Sequence, residues 1–190
     1  MRLAVSGPQN TGKTTFIKDF LKAFPSYYSP SETYRDVIRK HNLKINREST
    51  DESQRLIRDF LYKQIKSNKR KNILFDRCVL DNLIYSTYQF EQGNVSKKFV
   101  DETKKILADS LKYLDALILI PTGVSVRLVE DNLRDTDIHF IDSVNRIFIS
   151  TILDIASKKN LSGQESPKIF VVTGDRESRI KQVSKLISLC

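Results

Sequence analysis

Gly7-Pro8-Gln9-Asn10-Thr11-Gly12-Lys13-Thr14 decides the fold. The octapeptide fits the spacing G-x-x-x-x-G-K-[ST]. It follows the apolar run Arg2–Ser6 (RLAVS) and opens a segment, Thr14–Phe24, with Phe16, Phe20, Leu21 and Phe24 on one helical face. A strand, a glycine-bearing loop and a helix in that order form a phosphate cradle. Gly7 and Gly12 let the backbone turn tightly, and successive N–H groups with the helix N-terminus offer positive potential. Lys13 reaches the terminal phosphates, and the Thr14 hydroxyl can ligate Mg²⁺. Asn10, Thr11 and Thr15 adjoin the same cradle.

Outward from the loop, short apolar runs alternate with helix-period segments. The expected strands are Arg2–Ser6, Ser26–Pro30, Asn72–Asp76, Asp115–Pro121 and Lys168–Thr173. The expected helices, besides the first, are Asp51–Asn68 capped by Asp51, Val79–Phe90, Ser96–Leu114, Ile138–Lys158 and Arg176–Leu189. Apolar strands separated by amphipathic helices imply an α/β, three-layer fold with a parallel sheet of about five strands. Ligands in such sheets bind outside the carboxyl ends of the strands. A length of 190 residues, without repeats or Pro/Gly-rich linkers, fits one domain over 1–190.

Composition narrows the class further. Lys and Arg number 32 against 23 Asp and Glu, a net charge of +9. That excess suits a polyanionic partner, nucleic acid included, or serves solubility alone. Hydrophobic residues at 39 % exclude a disordered chain. No apolar run approaches the ~20 residues of a membrane span. Two cysteines, Cys78 and Cys190, make neither a disulfide framework nor a zinc site, which implies a reducing, cytoplasmic setting.

Polar residues just beyond the strands are the site candidates. Asp76 closes its strand and suits Mg²⁺, or a helix cap, or a partner for Arg77. Arg77 can hold an acceptor's phosphate or hydroxyl, or pair with Asp81 four residues on. Glu32 and Arg35 follow the second strand candidate, where a carboxylate can take a proton from an attacking hydroxyl and an arginine can orient the acceptor. The same segment also reads as a helix start. Arg127 and Arg134 lie in the charged stretch RLVEDNLRDTD, a lid spanning about 122–139 whose arginines can stabilise the transferring group. Thr173-Gly174-Asp175 reads as an ordinary turn, Lys66–Lys71 as a solvated basic turn ahead of a nucleic-acid patch, Cys78 as packing, and Tyr27, Tyr28 and Tyr34 as packing ahead of stacking on a base. His41 and His139 read as surface residues.

The loop, the Glu32/Arg35 segment, Asp76-Arg77 with Asp81, and Glu130–Arg134 occur in the order seen in P-loop nucleoside and nucleotide kinases. The chain resembles the small AAA-type ATPase/kinase group that includes the nicotinamide-riboside kinase domain of bacterial NAD regulators. Members of this kind are also phage-encoded, which would make the compartment a host cytoplasm. The resemblance implies ATP and Mg²⁺, and phosphate binding by Gly12, Lys13 and Thr14. It also implies acceptor-side roles for Glu32, Arg35, Asp76 and Arg77, and a lid role for Arg134. It leaves the acceptor open: a nucleoside, nucleotide or related ribosyl compound, or a DNA strand phosphorylated at a 5′-hydroxyl or at a hydroxymethylated pyrimidine. A non-catalytic ATP-binding switch is a further alternative. No N-K-x-D guanine motif is present, and the chain is short for a motor or helicase.

Overall fold

The computed structural model describes residues 1–45, 48–122, 138–162 and 167–188. Four parallel strands form one sheet in the order β2-β1-β3-β4. They are β1 (Arg2–Ser6), β2 (Ile73–Asp76), β3 (Ala116–Leu119) and β4 (Lys168–Val171). The helices are α1 (Lys13–Ala23), α2 (Tyr34–His41), α3 (Asp51–Ser67), α4 (Val79–Glu91), α5 (Lys97–Leu111), α6 (Ile138–Ser162) and α7 (Arg176–Ser188).

Strand side chains alternate between two cores, as a period of two requires. Leu3, Val5, Leu74, Ala116 and Ile118 face one core with Phe16 and Phe20 of α1 and Val183 and Leu186 of α7. Ala4, Ile73, Phe75, Leu117 and Leu119 face the other, with residues of α2 to α6. Both faces of β1, β2 and β3 are therefore covered, which is why these strands read as continuous apolar runs.

The expected strand at Ser26–Pro30 reduces to a single bridge, Tyr28 to Ile73. Tyr28 donates to the Asn72 carbonyl at 3.1 Å and accepts from Leu74 N at 2.8 Å. Pro25 and Pro30 bracket it, and a proline has no N–H to extend a ladder. The cap of α3 also differs. Thr50, not Asp51, is the N-cap, with its hydroxyl accepting from Ser53 N at 3.2 Å. Asp51 instead accepts from Ser96 N at 2.7 Å and Ser96 Oγ at 2.6 Å, tying the start of α3 to that of α5. Helix α2 falls where the sequence offers a helix start at Glu32. Its cap is Thr33, whose N–H donates to Asp36 at 2.8 Å.

Arg2 organises the amino end of the sheet. Its guanidinium donates to the carbonyls of Ile65 (2.6 Å), Asn68 (2.7 Å), Arg70 (3.1 Å) and Tyr113 (2.6 Å). Ile65 and Asn68 belong to the carboxyl end of α3, whose last carbonyls have no intrahelical partner, and Arg70 and Tyr113 lie in the turns before β2 and β3. The basic run Lys66–Lys71 lies here, just before β2 begins at Ile73, so it sits at the end of the sheet opposite Asp76. Arg70 stacks on the Tyr28 ring at 4.2 Å, and Lys66 donates to Tyr62 at 2.7 Å. Replacing Arg2 by Met should lower stability by about 2 kcal/mol, because several partly buried carbonyls lose a charged donor. Calorimetry would then record a Tm about 4–8 °C lower. An unchanged Tm would contradict the role given to Arg2.

Candidate active site

The phosphate loop leaves the carboxyl end of β1 and is shaped by two glycines. A Cβ on Gly7 would lie 2.2 Å from the Ile120 carbonyl oxygen, so no larger residue fits. Gly12 has φ 83°, in the left-handed region. Lys13 is buried and folds back on its own loop, donating to the Pro8 carbonyl and to Thr11 Oγ1 at 3.3 Å. A phosphate oxygen would attract that ammonium more strongly than a neutral carbonyl does. Asn10 also has a positive φ, 61°, and neither polar atom of its side chain has a hydrogen-bond partner among the described residues. An orphaned amide on such a loop is ready to meet a ligand. From behind, Arg179 of α7 donates to the Thr11 carbonyl at 2.8 Å and the Gly174 carbonyl at 2.9 Å, bracing the loop.

A buried carboxylate joins this loop to β2. Asp81 accepts from Ser6 Oγ (2.8 Å), Gly7 N (3.3 Å), Cys78 N (3.1 Å) and Arg77 Nη1 (2.6 Å). Arg77 Nη1 also lies 3.4 Å from the Gly7 carbonyl. Arg77 therefore does pair with Asp81, and its guanidinium lies 4.9 Å from the Tyr34 ring centroid and 5.6 Å from that of Tyr85. Its φ of 75° is unusual for a residue with a long side chain, and the surrounding contacts hold it there. Burial works against the charge on Arg77. Tyr34, Asp81, Tyr85 and Asp76 nevertheless hold its pKa well above the ordinary value. Burial likewise pushes the phenol of Tyr85 up, so it stays protonated. The Cys78 thiol is pushed up first by burial and then by Asp81, which fits the packing role read from its sequence context.

The loop, Asp76 and Arg77 border a cavity of about 280 Å³. Asn10, Gly12, Lys13, Thr14 and Thr15 form its mouth. Tyr34, Arg35 and Ile38 of α2 line one side. Gln54, Ile57 and Leu61 of α3, with Asn82 and Tyr85 of α4, close its inner end. The structure thus brings Lys13, Thr14, Thr15, Arg35, Asp76, Arg77 and Asp81 together. It does not bring Glu32, whose side chain is exposed and does not line the cavity, while its carbonyl accepts from Gln64 Nε2 at 2.8 Å. Arg127, Arg134 and residues 123–137 of the expected lid lie outside the described residues.

Tyr34, read from sequence as packing, is a cavity wall. Tyr85, Gln54, Asn82 and Arg179 were not singled out at all. Gln54 had a signal: it shares a helical face with Ile57 and Leu61, a polar residue on an apolar stripe.

The oxygen donors suit magnesium. Asp76 and Thr14 line one cavity, and the Asp76 carboxylate takes no hydrogen bond from the described residues. Mg²⁺ is usually held by one or two carboxylates plus substrate phosphates and water. A closed protein cage is therefore unnecessary, and among the described residues no cluster of three His, Cys, Asp or Glu side chains forms one. No described helix is long and apolar enough to cross a membrane.

An AAA domain family model matches residues 2–158, so the chain belongs to that AAA domain family. Its fold is shared by solved structures, two kinases among them. Deoxyadenosine kinase from M. mycoides, with dCMP and dCDP bound, superposes with a TM-score of 0.71 at 17 % identity, each chain covered fully. NadR in complex with NR gives 0.69 at 15 % identity over 96 % of this chain and 50 % of that one. Thymidylate kinase from Candida albicans gives 0.64 at 16 % identity over 98 % and 90 %. At these identities the likeness is one of fold. No curated protein matches the sequence.

Two outcomes follow from the buried pair. Asp81→Asn strands a guanidinium in the interior and should cost about 3 kcal/mol, a Tm fall of about 6–12 °C by calorimetry. A change below about 1 kcal/mol would contradict the role of Asp81. With its thiol held protonated, Cys78 should resist iodoacetamide at pH 8 in the native protein and react after unfolding in guanidinium. Peptide mapping reads both states, and fast native labelling of Cys78 would be the opposing result.

Proposed function

We propose that the chain is an ATP-dependent kinase that transfers the γ-phosphoryl group to a hydroxyl of a nucleoside, nucleotide or related ribosyl compound. One observation carries this reading: a phosphate loop, an unbonded carboxylate and an aromatic, amide-lined pocket share one cavity. A switch that only binds ATP has no need of the aromatic and apolar wall of Tyr34, Ile57, Leu61 and Tyr85 in the same cavity. The fold shared with nucleoside and nucleotide kinases supports the same reading.

In the proposed reaction the loop amides, Lys13 and Asn10 hold the triphosphate. Magnesium, held by Thr14 and Asp76, would neutralise phosphate charge. The acceptor hydroxyl forms a bond to the γ-phosphorus as the β–γ bridging P–O bond breaks, and ADP departs with that oxygen. The hydroxyl proton leaves to a carboxylate on the cavity wall. Asp76 is the candidate, since Glu32 faces solvent. Arg35 and Tyr34 orient the acceptor. Arg127 and Arg134 would supply further positive charge to the transferring group, as the resemblance implies.

A DNA strand as acceptor is less well supported. The basic run Lys66–Lys71 lies at the other end of the sheet, roughly 10 Å or more from Asp76 at strand rise. The cavity is sized for a small molecule.

The test is transfer of label from γ-labelled ATP to a panel of nucleosides, nucleotides, nicotinamide riboside and oligonucleotides. Label should appear on a small acceptor and not on oligonucleotides. Lys13→Met should lower kcat at least about a thousandfold with little change in Tm, because Lys13 acts on charge that develops in the transfer. Undiminished transfer by Lys13→Met, or label found only on oligonucleotides, would overturn the proposal.

A further inference from the structure

Two arginines of α7, three residues apart, hold the start of α1 and the phosphate loop. Arg176 donates to both oxygens of Asp19 on α1, at 2.6 and 2.8 Å. Arg179 reaches the loop itself, with Nη1 donating to the Thr11 carbonyl at 2.8 Å and Nε to the Gly174 carbonyl at 2.9 Å. The turn that carries Gly174 is fixed in its own right. Asp175 accepts from Ser178 N at 2.8 Å. Gln182 brackets Thr173, donating to its carbonyl at 2.8 Å and accepting from its N–H at 3.3 Å. The turn after β4 is therefore locked to α7, and Arg179 extends that lock to the loop.

Peptide geometry gives the bond to Thr11 a consequence. The Thr11–Gly12 peptide is trans, so the Thr11 carbonyl and the Gly12 N–H point in opposite directions. With the carbonyl drawn to Arg179, the Gly12 N–H faces away from α7. That N–H has no hydrogen-bond partner among the described residues. Gly12 lines the cavity and Arg179 does not. A Cβ on Gly12 would lie 3.1 Å from Arg179 Nη1, which places the guanidinium against the glycine. A peptide next to a glycine rotates more easily than most, and an outside partner is what holds it in one orientation.

We infer that Arg179 is a positioning residue for the donor's phosphates: by holding the Thr11 carbonyl outward, it aims the Gly12 N–H at a phosphate oxygen. This rests on the nucleotide-binding half of the kinase reading and is independent of transfer. The gain is preorganisation, because donors fixed before the ligand arrives need no reordering when it binds. Meeting two carbonyls at once is a property of the planar guanidinium fork that an ammonium lacks.

Calorimetric binding of MgATP, MgADP and magnesium pyrophosphate tests this, with label transfer from ATP measured in parallel. Pyrophosphate has no base or sugar, so it reports on the loop alone. In Arg179→Met all three should bind about tenfold more weakly, the effect of losing a charged donor. The KM for ATP should rise in step, while the KM for the acceptor stays within about twofold. Arg179→Lys keeps the charge and loses the fork, so it should remain at least about fivefold weaker than wild type. Arg176→Met removes an exposed ion pair from the same helix and should change phosphate affinity less than about threefold. Wild-type affinity in folded Arg179→Met overturns the inference. Full recovery in Arg179→Lys overturns it in favour of charge alone, and an equal loss in Arg176→Met traces the effect to helix docking instead. If Arg179→Met does not fold, Arg179→Lys against Arg176→Met decides. Label transfer with phosphate affinity unchanged in the variants removes the inference and leaves the kinase reading. The affinity losses without transfer to any acceptor do the opposite, and a wild type that binds none of the three ligands removes both.

Discussion

The buried Asp81 carboxylate is the constraint on which the site depends. It accepts from the last residue of β1, the first of the loop, the cap of α4 and the Arg77 guanidinium. Arg77 in turn reaches the Gly7 carbonyl, so one ion pair grips both sides of the loop's first residue. A carboxylate and a guanidinium removed from water are costly singly and tolerable as a fully bonded pair. Their separation from solvent also keeps the geometry insensitive to salt. The pair fixes where the loop starts relative to Asp76, and that relation determines whether a phosphate and a carboxylate can face one cavity.

Much of this was legible in the sequence. The octapeptide after Arg2–Ser6 located the loop, and the apolar runs at Ile73–Phe75 and Ala116–Leu119 located the central strands, because both features depend on local spacing. Among the described residues four strands form where about five were expected, since Pro25 and Pro30 confine Tyr28 to one bridge. The inner pocket was not legible. Gln54 and Asn82 are 28 residues apart and meet only when α3 packs on α4. Arg179 joins the loop from 168 residues downstream, a contact that no local pattern encodes. Asp81 could be placed beside Arg77 by its spacing of four, but its bonds to Ser6 and Gly7 depend on the pairing of β1 with β2.

The charge of +9 takes on a different meaning once its residues are located. Lys13 and Arg77 are committed to the loop and its ion pair. Arg2 serves helix-end carbonyls at the far end of the sheet, and Arg70 and Lys66 stack on or bond to tyrosines there. Lys97 and Lys112 pair with carboxylates on their own helix or just past its end. Positive charge is thus spread over structural tasks as well as the phosphate loop. Among the described residues, Lys13, Arg35 and Arg77 are the cations that line the cavity beside Asp76.

The central claim is that one cavity holds a nucleotide donor at its mouth and a small ring-bearing acceptor at its inner end. A crystal structure grown with magnesium, a non-hydrolysable ATP analogue and a nucleoside tests it most directly. The account predicts the triphosphate within Gly7–Thr14 and the nucleoside ring in the cavity lined by Tyr34, Ile57 and Tyr85, with its hydroxyl facing the γ-phosphate beside Asp76. Triphosphate bound away from the loop, or a nucleoside bound outside the cavity, would contradict it.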